Sequence, residues 1–178
     1  MSNVIKFKLD SDEIDRAIKE LEAYRKELGH KVELFVDALL SVGIKVASLR
    51  VSSTKGDSKL PDVKYTIHSY GGGTTTKAEI SINGKDVLFV EFGAGIAYNT
   101  GKQNPLADEF GYGPGTFPSE HPPNRAINPG YWYYSTTDSA GDKVRTRSIG
   151  TEASMPIFGA AEAMREKVVE VAHEVFGG

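Results

Sequence analysis

Val87-Leu88-Phe89-Val90-Glu91-Phe92-Gly93-Ala94-Gly95 is the stretch whose reading decides the fold. Its four leading apolar residues, two Val and one aromatic among them, predict a strand buried on both faces. The run then ends in a carboxylate, an aromatic ring and Gly-Ala-Gly. A Glu one step past a buried run must reach solvent or find a partner, because an unpaired buried carboxylate costs several kcal/mol or takes up a proton. Most of the glycine- and aromatic-rich sequence follows this point, so the predicted strand separates a regular half of the chain from a looped half.

Working upstream, Asn83-Gly84 is the strongest short hairpin signal in the sequence, since both residues tolerate positive φ. It predicts that Thr75 to Ile82, alternating through Ala78, Ile80 and Ile82, pairs with the opening stretch. Before Gly71-Gly72-Gly73, Val63, Tyr65 and Ile67 alternate in the same way, so three strands form an antiparallel meander. A further short strand is expected over Val4 to Leu9, with Ile5, Phe7 and Leu9 on one face.

Between these strands the period changes. Ser11 is read as an N-cap with Asp12, Glu13 and Asp15 in the first turn, where the helix dipole favours negative charge. Ile14, Ala17, Ile18, Leu21, Tyr24 and Leu28 recur at steps of three and four, opposite Arg16, Lys19, Glu20, Arg25 and Lys26. The pattern continues through Val32, Phe35, Leu39, Ile44 and Ala47 to about Arg50, which predicts one long helix bent near Gly29. Its second half is apolar nearly all round, as for a helix between a sheet and another surface, a second subunit being one candidate.

Downstream, residues 96–129 are expected to form a long excursion, with Gly101, Pro105, Gly111, Gly113, Pro114, Gly115, Pro118, Pro122, Pro123 and Pro129 breaking any regular element. So long an irregular connection points to function or to ordering on a partner. Tyr131-Trp132-Tyr133-Tyr134 follows with the single Trp of the chain, and Lys143, Arg145 and Arg147 place one basic face on a strand. Met155-Pro156 opens a C-terminal helix, with Pro in its first turn and an apolar stripe from Phe158 to Val175. The fold class is therefore α+β in a single domain over residues 1–178. An antiparallel sheet of four to five strands packs on a long N-terminal helix and a C-terminal helix.

Composition narrows the function. The 178 residues are 39% hydrophobic and 25% charged, with mean hydropathy −0.32, and no apolar run approaches the ~18 residues of a membrane helix. Met1-Ser2-Asn3-Val4-Ile5-Lys6 has no signal-peptide pattern. The absence of cysteine excludes disulfides, thiolate metal sites and a cysteine nucleophile. A net charge of −3 gives no basic footprint for nucleic-acid binding. His30, His68, His121 and His173 have no metal-ligand spacing, so neither metal nor cofactor is predicted. Gly93-Ala94-Gly95 and Gly111-Tyr112-Gly113-Pro114-Gly115 lack the Lys-Ser/Thr of a phosphate loop.

Two chemical readings stay open on the residues alone. Glu91 with Asp108, Glu109 or Glu120, beside a platform of Trp132 and its neighbours, would suit a small carbohydrate- or peptide-directed hydrolase. The row Lys143, Arg145, Arg147 is a solvated edge, a contact with an acidic protein neighbour or a contact with nucleic acid, and Tyr131 to Tyr134 is either core or an interface hot spot.

Three segments in order, Val90-Glu91-Phe92-Gly93-Ala94-Gly95, Gly130-Tyr131-Trp132-Tyr133-Tyr134 and Ser154-Met155-Pro156-Ile157-Phe158-Gly159-Ala160-Ala161, resemble the gp-ten-like tail-component family of tailed siphophages and prophages. The resemblance spans most of the chain. It departs from the family at Ile157 to Ala160, where a basic residue and a second Pro often stand, and in the length of the 96–129 loop. It implies a structural virion protein with no catalytic residue and no cofactor, assembled in the bacterial cytoplasm. That protein would form a ring of identical copies, six being one possible closure. The ring would complete the tail or join it to the head, with tail-tube and head-completion proteins as partners, no membrane, and DNA passing through without specific binding. Glu91, Phe92, Gly93, Gly95, Tyr131, Trp132, Tyr133, Pro156 and Phe158 become interface or structural-motif positions, with Glu91 a strand-end anchor expected against Arg145 or Arg147. A binding module of a toxin or secretion system built from tail parts is a further alternative.

Overall fold

The computed structural model describes residues 10–70, 75–95, 103–114, 116 and 130–177. The expected strand over Val4 to Leu9 and the loop residues 96–102 and 117–129 lie outside them. The chain folds as two compact units. One comprises Met1–Ser41, Thr66–Glu79 and Glu166–Gly178, the other Val42–Tyr65 and Ile80–Arg165.

Helix α1 runs without interruption from Ser11–Ser52, through Gly29. Its cap is Asp10 rather than Ser11. The Asp10 Oδ1 accepts the N–H of Glu13 at 3.0 Å and its carbonyl accepts that of Ile14 at 3.1 Å. An acceptor one residue earlier therefore satisfies the first orphan donors.

Strands β1 (Asp62–Tyr70) and β2 (Thr75–Asn83) form the antiparallel hairpin that their alternation predicts. The next step departs from expectation. Residues Val87–Phe92 are not a strand but a helix of one and a half turns, α2, so Asn83-Gly84 leads into a helix and, among the described residues, β2 pairs with β1 alone. Val90 N–H donates to Asp86 O at 3.0 Å and Gly93 N–H to Phe89 O at 2.8 Å. Alternation would bury Leu88 with Val90. Instead Leu88 is exposed while Val90, Glu91 and Phe92 are buried consecutively. A run of four apolar residues has no length to distinguish strand from buried helix, and packing then overrides β propensity.

The expected single sheet of four to five strands is accordingly divided. The β1–β2 hairpin is one two-stranded antiparallel sheet, a later hairpin is a second, and a minimal parallel pair lies between them in sequence. That pair is β3 (Ala94–Gly95) with β4 (Gly113–Pro114). Within the expected excursion a short helix, α3 (Ala107–Phe110), precedes β4. In the second hairpin, strand β5 (Trp132–Thr137) pairs with β6 (Lys143–Ser148) from Trp132↔Ser148 to Thr137↔Lys143. Asp138 closes their turn, its Oδ1 accepting the N–H groups of Ala140 and Asp142 at 2.9 Å. Helix α4 (Pro156–Phe176) follows as predicted, with Pro in its first position.

Each unit has its own apolar contacts. In the first, Phe35 of α1 meets Phe176 of α4 with ring centroids 5.7 Å apart. In the second, Phe92 stacks on Phe110 at 5.0 Å, and Val90, Ala94, Ala107, Ala153 and Ala160 are buried. Gly43 of α1 packs there against Ile80 of β2 and Met164 of α4, and a side chain at 43 would meet both within 2.7 Å.

Candidate functional site

The first turn of α4 leaves few donors. Pro156 has no N–H, and Gly159 N–H donates to Met155 O at 2.9 Å. The remaining two, on Ile157 and Phe158, go to one side chain. Glu91 Oε2 accepts from Ile157 at 2.9 Å and Oε1 from Phe158 at 3.0 Å. Oε1 also accepts Asn104 Nδ2 at 2.9 Å. Glu91 is 7% exposed and Asn104 2%, so a buried carboxylate is balanced by three donors and by the positive end of a helix dipole. It is an anchor at the end of helix α2, and its partners are an amide and a helix terminus. Arg145 and Arg147, expected to meet it, lie elsewhere.

The peptide before α4 is held as firmly. Val90 O accepts Ser154 N–H at 3.0 Å and Ser154 Oγ at 3.1 Å. Ser154 Oγ lies 2.7 Å from Thr54 Oγ1, and Arg50 Nη1 donates to the carbonyls of Ser154 and Met155 at 3.2 and 3.4 Å. The Arg50 guanidinium fills the space where a side chain at Gly159 would stand. Met155 adopts φ 51°, the left-handed region that non-glycine residues seldom enter.

The glycines of the first motif make the third set of contacts. Gly95 has φ 79°, and a Cβ there would lie 2.7 Å from the Trp132 ring. Only a glycine supplies both the backbone conformation and the room. Ala94 between the glycines exchanges two bonds with Thr151, each 3.0 Å, and Gly93 O accepts Gly113 N–H at 3.1 Å.

Strand alternation gives the aromatic segment two faces. On one, Arg147 lies 4.3 Å from the centre of the Tyr131 ring and Arg145 4.2 Å from that of Tyr133, with the two tyrosines edge to face at 5.6 Å. The basic row is thus stacked on aromatic rings. On the other face, Trp132 and Tyr134 line a cavity of about 120 Å³ together with Phe89, Asp57, Asp86 and Ser58. Burial pushes the Tyr134 phenol above its usual value, and the charges of Asp86 and then Asp57 push it the same way.

Seven of the nine expected positions, Glu91, Phe92, Gly93, Gly95, Trp132, Pro156 and Phe158, belong to the second unit's joint around α2, β3 and the start of α4. Tyr131 and Tyr133 lie under the arginines. Asp108 and Glu109 are exposed on α3, with Asp108 accepting from Gln103, and Glu120 and His121 lie outside the described residues. Among the described residues, the carboxylates lining the Trp132 cavity are Asp57 and Asp86, not Glu91. Sequence reasoning does not single out Arg50, Asn104, Asp57 or Asp86. Asn104-Pro105 carries a turn signal, and Asn104 Oδ1 does accept Leu106 N–H at 3.0 Å, whereas nothing local marks Arg50. Among the described residues, no group of three His, Cys, Asp or Glu could hold a metal ion, and no helix is long and apolar enough to cross a membrane. No protein family, curated protein or solved structure matches the chain.

Proposed function

We propose that the chain is a non-enzymatic structural protein of a tailed phage or prophage virion, a tail-completion or head–tail joining component working as a ring of identical copies. The observation that carries this reading is the joint itself. The three segments on which the resemblance rests lie in one unit, where the polar side chains of Glu91 and Ser154 are spent in holding the start of α4. Glu91 accepts three hydrogen bonds and faces a helix terminus, an arrangement that suits a building block and leaves an acid catalyst without a free oxygen facing a cleft.

The surface of α1 supports self-association. Ile14, Ile18, Leu21, Tyr24 and Leu28 recur at helical spacing and are each 38–54% exposed. Exposed apolar rows of this length mark protein contacts. A closing ring needs heterologous surfaces, so each copy would offer this row to a different face of the next. Tail-tube and head-completion proteins are the further partners of the reading, the virion its location and the bacterial cytoplasm its place of assembly. A net charge of −3 suits a lumen that lets DNA pass without retaining it.

The test is the state of the full chain in solution, alone and with a purified tail tube, by native mass spectrometry and sedimentation. A closed oligomer, or one that forms on the tube, is expected. A monomer at every concentration in both settings overturns the reading.

A further inference from the structure

We propose that the cavity beside Trp132 binds the head of an organic monocation, an alkylammonium or guanidinium group on an apolar stem. The inference is independent of the virion reading and concerns the opposite face of β5 from the arginine–tyrosine stack.

Its walls set the chemistry. Trp132, Tyr134 and Phe89 supply three aromatic surfaces, and Asp57 and Asp86 supply two carboxylates from different segments of the chain. Aromatic faces attract cations, most strongly where water is partly excluded. Each carboxylate is fixed by one backbone donor. Asp57 Oδ2 accepts Ile149 N–H and Asp86 Oδ2 accepts Lys59 N–H, both at 2.7 Å. Among the described residues, neither carboxylate is paired with a Lys or Arg. Two oriented negative charges thus line an aromatic cavity to which the described residues supply no cation. The Tyr134 hydroxyl, its ionisation raised by burial and then by Asp86 and Asp57, is a neutral lining group.

Size and lining choose among cations. A cavity of about 120 Å³ corresponds to about four waters at ~30 Å³ each. That suits a charged head and a short stem and is small for a sugar or nucleotide. A hard metal ion would need about six oxygen ligands, and among the described residues no group of three His, Cys, Asp or Glu is placed to hold one. An anion would meet two carboxylates. The same head could arrive on a free amine or on a Lys or Arg side chain of a neighbouring protein.

Trp132 is the only tryptophan of the chain, so its emission reports this cavity in the unmodified protein. The full chain is titrated with n-butylguanidinium, n-butylammonium and, as neutral control, 1-pentanol, with calorimetry in parallel. Saturable binding of the cations is expected, with the alcohol about tenfold weaker or worse. Asp57→Asn and Asp86→Asn, made separately, keep an oxygen for the backbone N–H and remove the charge. Each is expected to weaken cation binding severalfold while circular dichroism and Tm stay near those of the parent. A capped arginine peptide that binds more tightly than butylguanidinium assigns the head to a protein side chain, and equal affinity assigns it to a free amine. The proposal is overturned if the alcohol binds as tightly as the cations, if no saturable cation response occurs at millimolar concentration, or if both folded variants bind as the parent does. Should a variant unfold, the cation-versus-alcohol comparison on the parent still decides.

Discussion

Glu91 holds the backbone N–H of Ile157 at 2.9 Å across 66 residues of sequence. A distant carboxylate therefore does the work that a local Ser or Asp does at most helix starts. Removing it strands two backbone donors and the Asn104 amide in a buried place. Glu91→Ala is expected to cost about 3 kcal/mol, since hydrogen bonds to charged groups contribute about 1.5–3 kcal/mol and buried orphans add to the loss. Glu91→Gln retains one acceptor and is expected to cost about half as much. Urea unfolding of both variants checks this; an Ala variant as stable as the parent would show that the carboxylate is not an anchor.

Arg50 and Gly159 compete for one space, and that makes the sign of a substitution depend on background. In the parent, Gly159→Ala gains about 1 kcal/mol of helix propensity but displaces a guanidinium that bonds two carbonyls, together worth about 1.5–3 kcal/mol. The net expectation is destabilisation by about 1 kcal/mol. In an Arg50→Ala background the space is open, and the same change is expected to stabilise the chain. A double-mutant cycle with no coupling energy would refute the contact.

What the sequence revealed and what it hid follow from the range of the forces involved. The steps of three and four from Ile14 to Ala47 and from Phe158 to Val175 are set within each helix, and α1 and α4 appear where they predict. The alternation of β1, β2 and the aromatic segment is equally local. The strand expected over Val87 to Phe92 gives way to a helix because the conformation of that run is decided by what it packs against. The Ser154 and Met155 N–H groups that bind Val90 O come from 64 and more residues away. The importance of Glu91 is legible as an awkward carboxylate after an apolar run. Its partners are not, because Asn104 lies inside an irregular stretch and the α4 donors are backbone groups with no side-chain signature.

Asn104 tests the electrostatics of the same joint. Asn104→Asp replaces a donor at 2.9 Å from Glu91 Oε1 with a second buried carboxylate. Two such groups cannot both ionise cheaply, so the folded pair retains a proton that the unfolded chain releases above about pH 4. More protons bound in the folded state means stability that falls as pH rises. The variant is expected to approach the parent near about pH 4 and fall behind it toward neutrality. Unfolding midpoints across that range check it, and a deficit independent of pH would contradict it.

Tyr134 gives the corresponding alkaline prediction. Its phenol ionises above the usual value of 10.0, first because of burial and then because of Asp86 and Asp57. The folded chain therefore keeps a proton that the unfolded chain loses near pH 10.0, so this contribution is intact below that value and is lost as pH rises through the folded one. Tyr134→Phe is expected to flatten the alkaline decline, and Asp86→Asn to lower the phenol's inflection in its ultraviolet absorbance. An inflection that Asp86→Asn leaves in place would remove the carboxylate from this field.

Leu21 is 54% exposed in the middle of the α1 row, and its substitution separates folding from assembly. A surface change of this kind moves stability by about 0.5 kcal/mol or less. If the row is the face by which copies associate, Leu21→Lys removes an apolar contact worth about 1.5–3 kcal/mol when buried and places a charge in the interface. The dissociation constant is then expected to rise at least about tenfold with Tm nearly unchanged. Sedimentation of parent and variant over the same concentrations checks this. Unaltered association of a normally folded variant would mean that the copies meet through a face other than the Ile14–Leu28 row.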